Sequence, residues 1–161
     1  MYVLNFALQL EKVGKEYFEK LAADSSLPGI KNIFRMLAAE QQELYNSFKS
    51  LQSTVNTPLL VDSKALERAL DIFAQIFNEA TVGLLRNDLD AYRHAMKIEA
   101  EIVRFFEEMA QLETNEDAKI LLKEIAEEEK KLYATIEDIH DFVAAPKSYL
   151  AGLEFSNLKG L

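Results

Sequence analysis

Two stretches decide the fold: "LAAEQQELY" (37–45) and "IAEEEKKLY" (125–133). The latter has the appearance of surface charge, three glutamates followed by two lysines. Shifted by 88 residues, the two coincide: Ala38 meets Ala126, Glu40 meets Glu128, Leu44 meets Leu132 and Tyr45 meets Tyr133. The match extends outward without a gap. Ala7 meets Ala95, Glu11 meets Glu99, Phe18 meets Phe106, Glu19 meets Glu107, Ala22 meets Ala110 and Lys31 meets Lys119. These ten identities fall within the 45 positions 7–51, more than chance supplies, and mark an internal repeat. The chain reads as two copies of one hairpin joined by a crossover.

Helical periodicity dominates both copies. A first helix over about 2–24 ends at the breaker "SSLPG". Pro28 suits the first turn of a second helix over about 28–53, since its missing N–H has no intrahelical partner there. "TVNTPLLVDS" is a linker with Pro58 at its centre, and Asp62 or Ser63 can cap a third segment over about 63–85. That segment carries Leu66, Ala69, Leu70, Phe73, Ile76, Phe77 and Ala80 on one face. Asn87 or Asp88 opens a helix over about 88–112, "ETNED" is a turn, and the last long helix runs over about 116–144 and stops before Pro146. The organisation is a single domain. It comprises a hairpin over about 2–53, a crossover over about 54–87, a second hairpin over about 88–145 and a tail over 146–161. Two hairpins joined by one long connection make an all-α four-helix bundle with a helical crossover.

The 3-4-3-4 spacing selects the residues that face the bundle interior. The stripes are Leu4-Ala7-Glu11-Gly14-Phe18-Leu21, Phe34-Leu37-Gln41-Leu44-Phe48-Leu51, Tyr92-Ala95-Glu99-Ile102-Phe106-Met109 and Leu122-Ile125-Glu129-Leu132-Ile136-Ile139. Each is apolar except at one position, and the exceptions, Glu11, Gln41, Glu99 and Glu129, coincide under the repeat. Glu127 and Glu128 fall off the stripe and belong to solvent. A carboxylate at a stripe edge can snorkel to water, but four polar positions at one level form a shared polar layer. No lysine or arginine lies on the stripes. An uncompensated buried ion costs several kcal/mol, so such a layer holds protons or a cation. A hard divalent cation takes oxygen ligands of this kind.

Composition narrows the remaining classes. The 161 residues include no cysteine, which removes disulfides, zinc–thiolate sites, iron–sulfur centres and thiol catalysis together. The net charge of −9 argues against nucleic acid as partner. No apolar run approaches the roughly 20 residues of a membrane span, and no secretory pattern opens the chain. The expected location is the cytoplasm. No Gly-x-Ser-x-Gly and no phosphate-binding glycine loop supports nucleophilic or nucleotide chemistry. The Phe- and Ile-rich crossover (Ile72, Phe73, Ile76, Phe77) either covers the bundle or joins two copies of the chain.

The stretches "ALQLEKVGKEYFEKLA" and "AMKIEAEIVRFFEEMA" resemble the first and third helices of the rubrerythrin-like branch of the ferritin-like superfamily. "IFRMLAAEQQELY" and "LLKEIAEEEKKLY" resemble its second and fourth, and the tail "PKSYLAGLEF" is similar to a frequent ending of the group. The resemblance implies a bundle with two iron ions inside it, held by a glutamate from each of helices one and three and a Glu-x-x-His pair from each of helices two and four. It also implies redox chemistry, often peroxide removal, a homodimer, and an electron donor that the sequence does not identify.

Carried over residue by residue, Glu11 and Glu99 fit the single glutamates and Glu129 fits the glutamate of the last pair. Gln41 stands at the other paired glutamate, and Leu44 and Leu132 stand at both histidines. A further glutamate frequent three residues after the third-helix one is Ile102 here, and the family's tyrosine after the first glutamate is Phe18, with Tyr17 adjacent. Leucine has no lone pair to give, and a glutamine carbonyl is a weaker iron ligand than a carboxylate. His94, five residues before Glu99, points well round its helix. His140 lies eleven residues beyond Glu129, about 16 Å along the axis. Two alternatives follow. Glu11, Glu99, Glu129 and Gln41 hold one iron or other divalent ion, or they are a vestigial layer of shared protons in a non-catalytic bundle that acts by oligomerisation or partner binding.

Overall fold

The computed structural model describes residues 2–54, 64–79 and 88–159, with side chains described over 2–53, 64–78 and 89–144. Five helices follow one another: α1 (Val3–Asp24), α2 (Pro28–Thr54), α3 (Lys64–Glu79), α4 (Asp88–Leu112) and α5 (Glu116–Lys159). Among the described residues there is no strand. The linker with Pro58, its caps Asp62 and Ser63, and Ala80 and Asn87 lie outside the described residues.

α1 packs along α2 and α4 along α5, giving the two hairpins. The first hairpin turns at Ser25, whose N–H donates back to the Leu21 carbonyl at 3.1 Å, and α2 begins at Pro28. The second turns on Asn115, whose Oδ1 accepts the Ala118 N–H at 3.1 Å and so caps α5. The hairpins meet through interdigitated aromatics. Phe6 touches Phe105 and Phe106 at ring-centroid distances of 5.2 and 5.7 Å. Some way along α1, the Tyr17 hydroxyl donates to the Ala91 carbonyl at 3.2 Å. α1 and α4 therefore run antiparallel, with Glu11 and Glu99 midway between these contacts. Phe34 stacks on Tyr92 at 5.2 Å, extending the aromatic group at the Tyr17 end.

The stripes describe the interior. In each of the four, the first five residues are buried and the last (Leu21, Leu51, Met109, Ile139) is half-buried. α1 buries a second flank as well, with Val3, Phe6, Leu10 and Tyr17. α4 covers it at Phe6, and α3, which lies on α1, covers it at Tyr17, where Phe77 approaches to 5.1 Å. Of the aromatic and branched residues on the crossover, Phe73 and Phe77 are buried, Ile76 is half-buried and Ile72 is 55% exposed. α3 thus covers the bundle.

One boundary differs from expectation. α5 does not stop before Pro146 but continues to Lys159. Proline in a helix interior forfeits one backbone hydrogen bond and crowds the carbonyl four residues earlier, here that of Phe142. A helix can carry that cost through a local bend without ending. No described helix is long and apolar enough to cross a membrane.

Candidate metal centre in the bundle core

Each helix of the two hairpins sends one polar side chain into the interior at the same level. Among the described residues the buried polar and charged side chains are Glu11, Gln41, Glu99 and Glu129, at 0–2% exposure. Their orientation follows from the flanking turns: Ala7 and Gly14, Leu37 and Leu44, Ala95 and Ile102, Ile125 and Leu132 are all buried on the same faces. The neighbours of Glu129 go the other way. Glu127 pairs with Lys130 at 3.1 Å and Glu128 with Lys131 at 2.9 Å, so the charge run neutralises itself outside while its third glutamate points in.

Gln41 reaches across the interior and donates from Nε2 to Glu99 Oε1 at 3.3 Å. It does so over Gly14: a Cβ there would lie 2.6 Å from Gln41 Nε2 and 2.9 Å from its Cδ. The glycine is what gives the amide room. The stripe places Gly14 on the interior face but does not reveal this role; the signal for it in the sequence is a glycine inside an otherwise apolar helix face.

The carboxyls resist ionisation. Burial pushes Glu11 up to about 8, and the Glu99 charge adds to that, while contact with Glu129 offsets part of it. Glu99 is raised well above the carboxylate range, first by burial and then by the charge of Glu129, with partial relief from the Gln41 amide. Glu129 is raised in the same way, by burial and then by the charge of Glu11. Glu129 couples to both other carboxyls, yet neither contact has the alignment of a full hydrogen bond. Glu11 Oε2, Gln41 Oε1, Glu99 Oε2 and both Glu129 oxygens therefore lack a well-aligned partner. Five unpartnered oxygens at one buried level are an open demand for protons or a cation.

Residues 3–138 match the family model described as Rubrerythrin. The chain belongs to the rubrerythrin family. No curated protein and no solved structure shows significant similarity to it. The all-α bundle built from two repeated hairpins is the architecture this membership implies.

The two-iron ligand set of the rubrerythrin resemblance does not fit this interior. Leu44 and Leu132, at 7% and 5% exposure, present hydrocarbon at both imidazole positions. Neither histidine replaces them. His94 Nε2 lies 3.0 Å from the Ile76 carbonyl and ties α4 to α3, and His140 Nδ1 lies 3.0 Å from Asp141 Oδ1. Among the described residues, no three His, Cys, Asp or Glu side chains converge as a ligand set. What the layer offers is oxygen chemistry, three carboxyls and an amide carbonyl with unpartnered oxygens, the donor type that hard divalent ions take.

Proposed function

We propose that this rubrerythrin-family bundle is a metal-binding protein of the di-iron oxidoreductase lineage that holds a single divalent ion, iron first among them. The ligands are Glu11, Glu99 and Glu129, with Gln41 Oε1 as a fourth oxygen. The carrying observation is the set of five buried oxygens without a well-aligned partner at one level of the core. An iron ion bound there would supply one-electron redox chemistry toward a small oxidant such as peroxide.

The residues contribute three things. The carboxyls release protons as they take up a cation, because burial holds them neutral otherwise. The Gln41 amide, seated over Gly14, orients Glu99. The aromatics on either side, Phe6 and Phe106 toward one end and Phe18, Phe34 and Tyr92 toward the other, close the bundle core above and below the layer. The proposal includes a homodimer and a cytoplasmic location; light scattering and fractionation test them.

Anaerobic loading with Fe(II), followed by desalting and metal analysis, tests the reading. It predicts about one iron per chain, abolished by Glu129→Gln. No retained iron overturns it.

A second reading is favoured by a different observation. Burial and mutual repulsion favour the protonated form of all three carboxyls, and among the described residues no three acidic or histidine side chains converge as ligands. On that reading the layer is vestigial and the bundle acts non-catalytically, by oligomerisation or partner binding.

A further inference from the structure

A cleft of about 260 Å³ opens between α1 and α2, and its floor is the polar layer. Glu11 and Gln41 form that floor, at 2% and 1% exposure, with Glu11 Oε2 and Gln41 Oε1 unpartnered. The walls are Lys12, Lys15, Gln42 and Tyr45. Lys15 Nζ donates to Gln42 Oε1 at 2.9 Å, bridging the two helices, and the same ammonium pairs with Glu19 at 3.5 Å. Gln42 is held from the other side, donating from Nε2 to Asn46 Oδ1 at 2.9 Å. No carboxylate lines the walls; the one acid in the lining is Glu11 at the bottom.

The opposite side of α2 differs in charge and in depth. A cleft there between α2 and α5 is lined by Glu40, Glu43 and the Glu128–Lys131 pair, and what it reaches is Leu44 and Leu132, not the polar layer. The α1–α2 cleft thus reaches the buried carboxyls between two lysines, whereas this α2–α5 cleft, acidic on balance, ends on hydrocarbon.

We propose that the α1–α2 cleft is the access port of the carboxylate layer, selective for small anionic and neutral solutes over cations. The Lys15–Gln42 hydrogen bond is the bar that parts to admit them. Two ammonium groups over a narrow low-dielectric cleft concentrate anions and repel cations. The volume sets the size class: a small oxyanion or a peroxide-sized neutral molecule, not a nucleotide. This inference builds on the reading of the layer as a working site, but its test counts access to the floor and not bound metal, so the two can fail separately.

The absence of cysteine makes the test clean. Glu11→Cys places one thiol at the floor, with Gln41→Cys as the second variant should the first not fold. The thiol is challenged with sulfonatoethyl and trimethylammonioethyl methanethiosulfonate, matched in size and opposite in charge. Each rate is divided by that of the unfolded chain, which removes the reagents' intrinsic reactivity. The anion should enter faster than the cation by about tenfold. Adding Lys12→Glu and Lys15→Glu should reverse the preference. Gln42→Trp should slow both reagents, whereas Ser47→Trp, in the α2–α5 cleft, should slow neither. Equal rates for the two reagents, or rates that respond to Ser47→Trp and not to Gln42→Trp, would overturn the assignment.

Discussion

Gln41 Nε2 on α2 donates to Glu99 Oε1 on α4 across 3.3 Å of bundle interior, linking the two hairpins through the polar layer. The repeat pairs Gln41 with Glu129 and Glu11 with Glu99, so this bond joins residues that are not repeat equivalents. Gln41 is the one member of the layer that cannot ionise, and it gives Glu99 a fixed donor. The space over Gly14 permits it.

Gly14→Ala should therefore be destabilising although alanine is the better helix former. Overpacking a core costs about 1–3 kcal/mol, against a gain of about 1 kcal/mol in helix propensity. The expected net loss is about 1 kcal/mol in urea unfolding. In a Gln41→Ala background the clash is gone, and Gly14→Ala should become stabilising. The sign reversal in this double-mutant cycle is the check; a loss of equal size in both backgrounds would separate Gly14 from Gln41.

The pH dependence of stability should run opposite to ordinary acid denaturation. Glu11, Glu99 and Glu129 hold protons in the folded chain that the unfolded chain releases. With more protons bound folded than unfolded, stability falls as pH rises through that window. For Glu11 the window runs from the ordinary 4.5 to about 8. Each such proton contributes a slope of about 1.4 kcal/mol per pH unit. Without added metal, urea midpoints should be lower at pH 7.5 than at pH 5.5, and Glu11→Gln should flatten the trend. Midpoints that rise across this range would contradict the neutral layer.

Restoring the missing donors should restore the missing ion. Gln41→Glu with Leu44→His and Leu132→His completes the two Glu-x-x-His pairs that the rubrerythrin resemblance implies. The triple variant should retain about two irons per chain after anaerobic loading, since a two-metal site needs bridging carboxylates and terminal ligands for both ions. A folded triple variant that holds no more than the parent would show that these positions do not converge.

Much of this site is legible in the sequence, for a simple geometric reason. On a helix, a 3-4 spacing fixes which side chains share a face, so Glu11, Gln41, Glu99 and Glu129 could be assigned to the interior without coordinates. The bland reading of Glu127 and Glu128 as surface charges also follows from that spacing, and both pair with nearby lysines. What spacing cannot carry is contact between helices. The burial of Phe6 and Tyr17 on the second flank of α1 depends on where α4 and α3 lie. The room that Gly14 leaves for Gln41, and the choice of Glu99 as its partner, depend on the approach of α1, α2 and α4. Pro146 is a local signal for a helix end, and α5 continues past it to Lys159.

The central claim is that one divalent ion replaces protons on the buried glutamates, and calorimetry tests it most directly. Fe(II) titrated anaerobically into the protein, in buffers of differing ionisation enthalpy, reports ions bound and protons released together. The account predicts one ion per chain, with net proton release at pH 7, of which the share from Glu11 shrinks as pH rises past about 8. Glu129→Gln should abolish both signals. Binding without proton release, binding that survives Glu129→Gln, or no binding at all would contradict it.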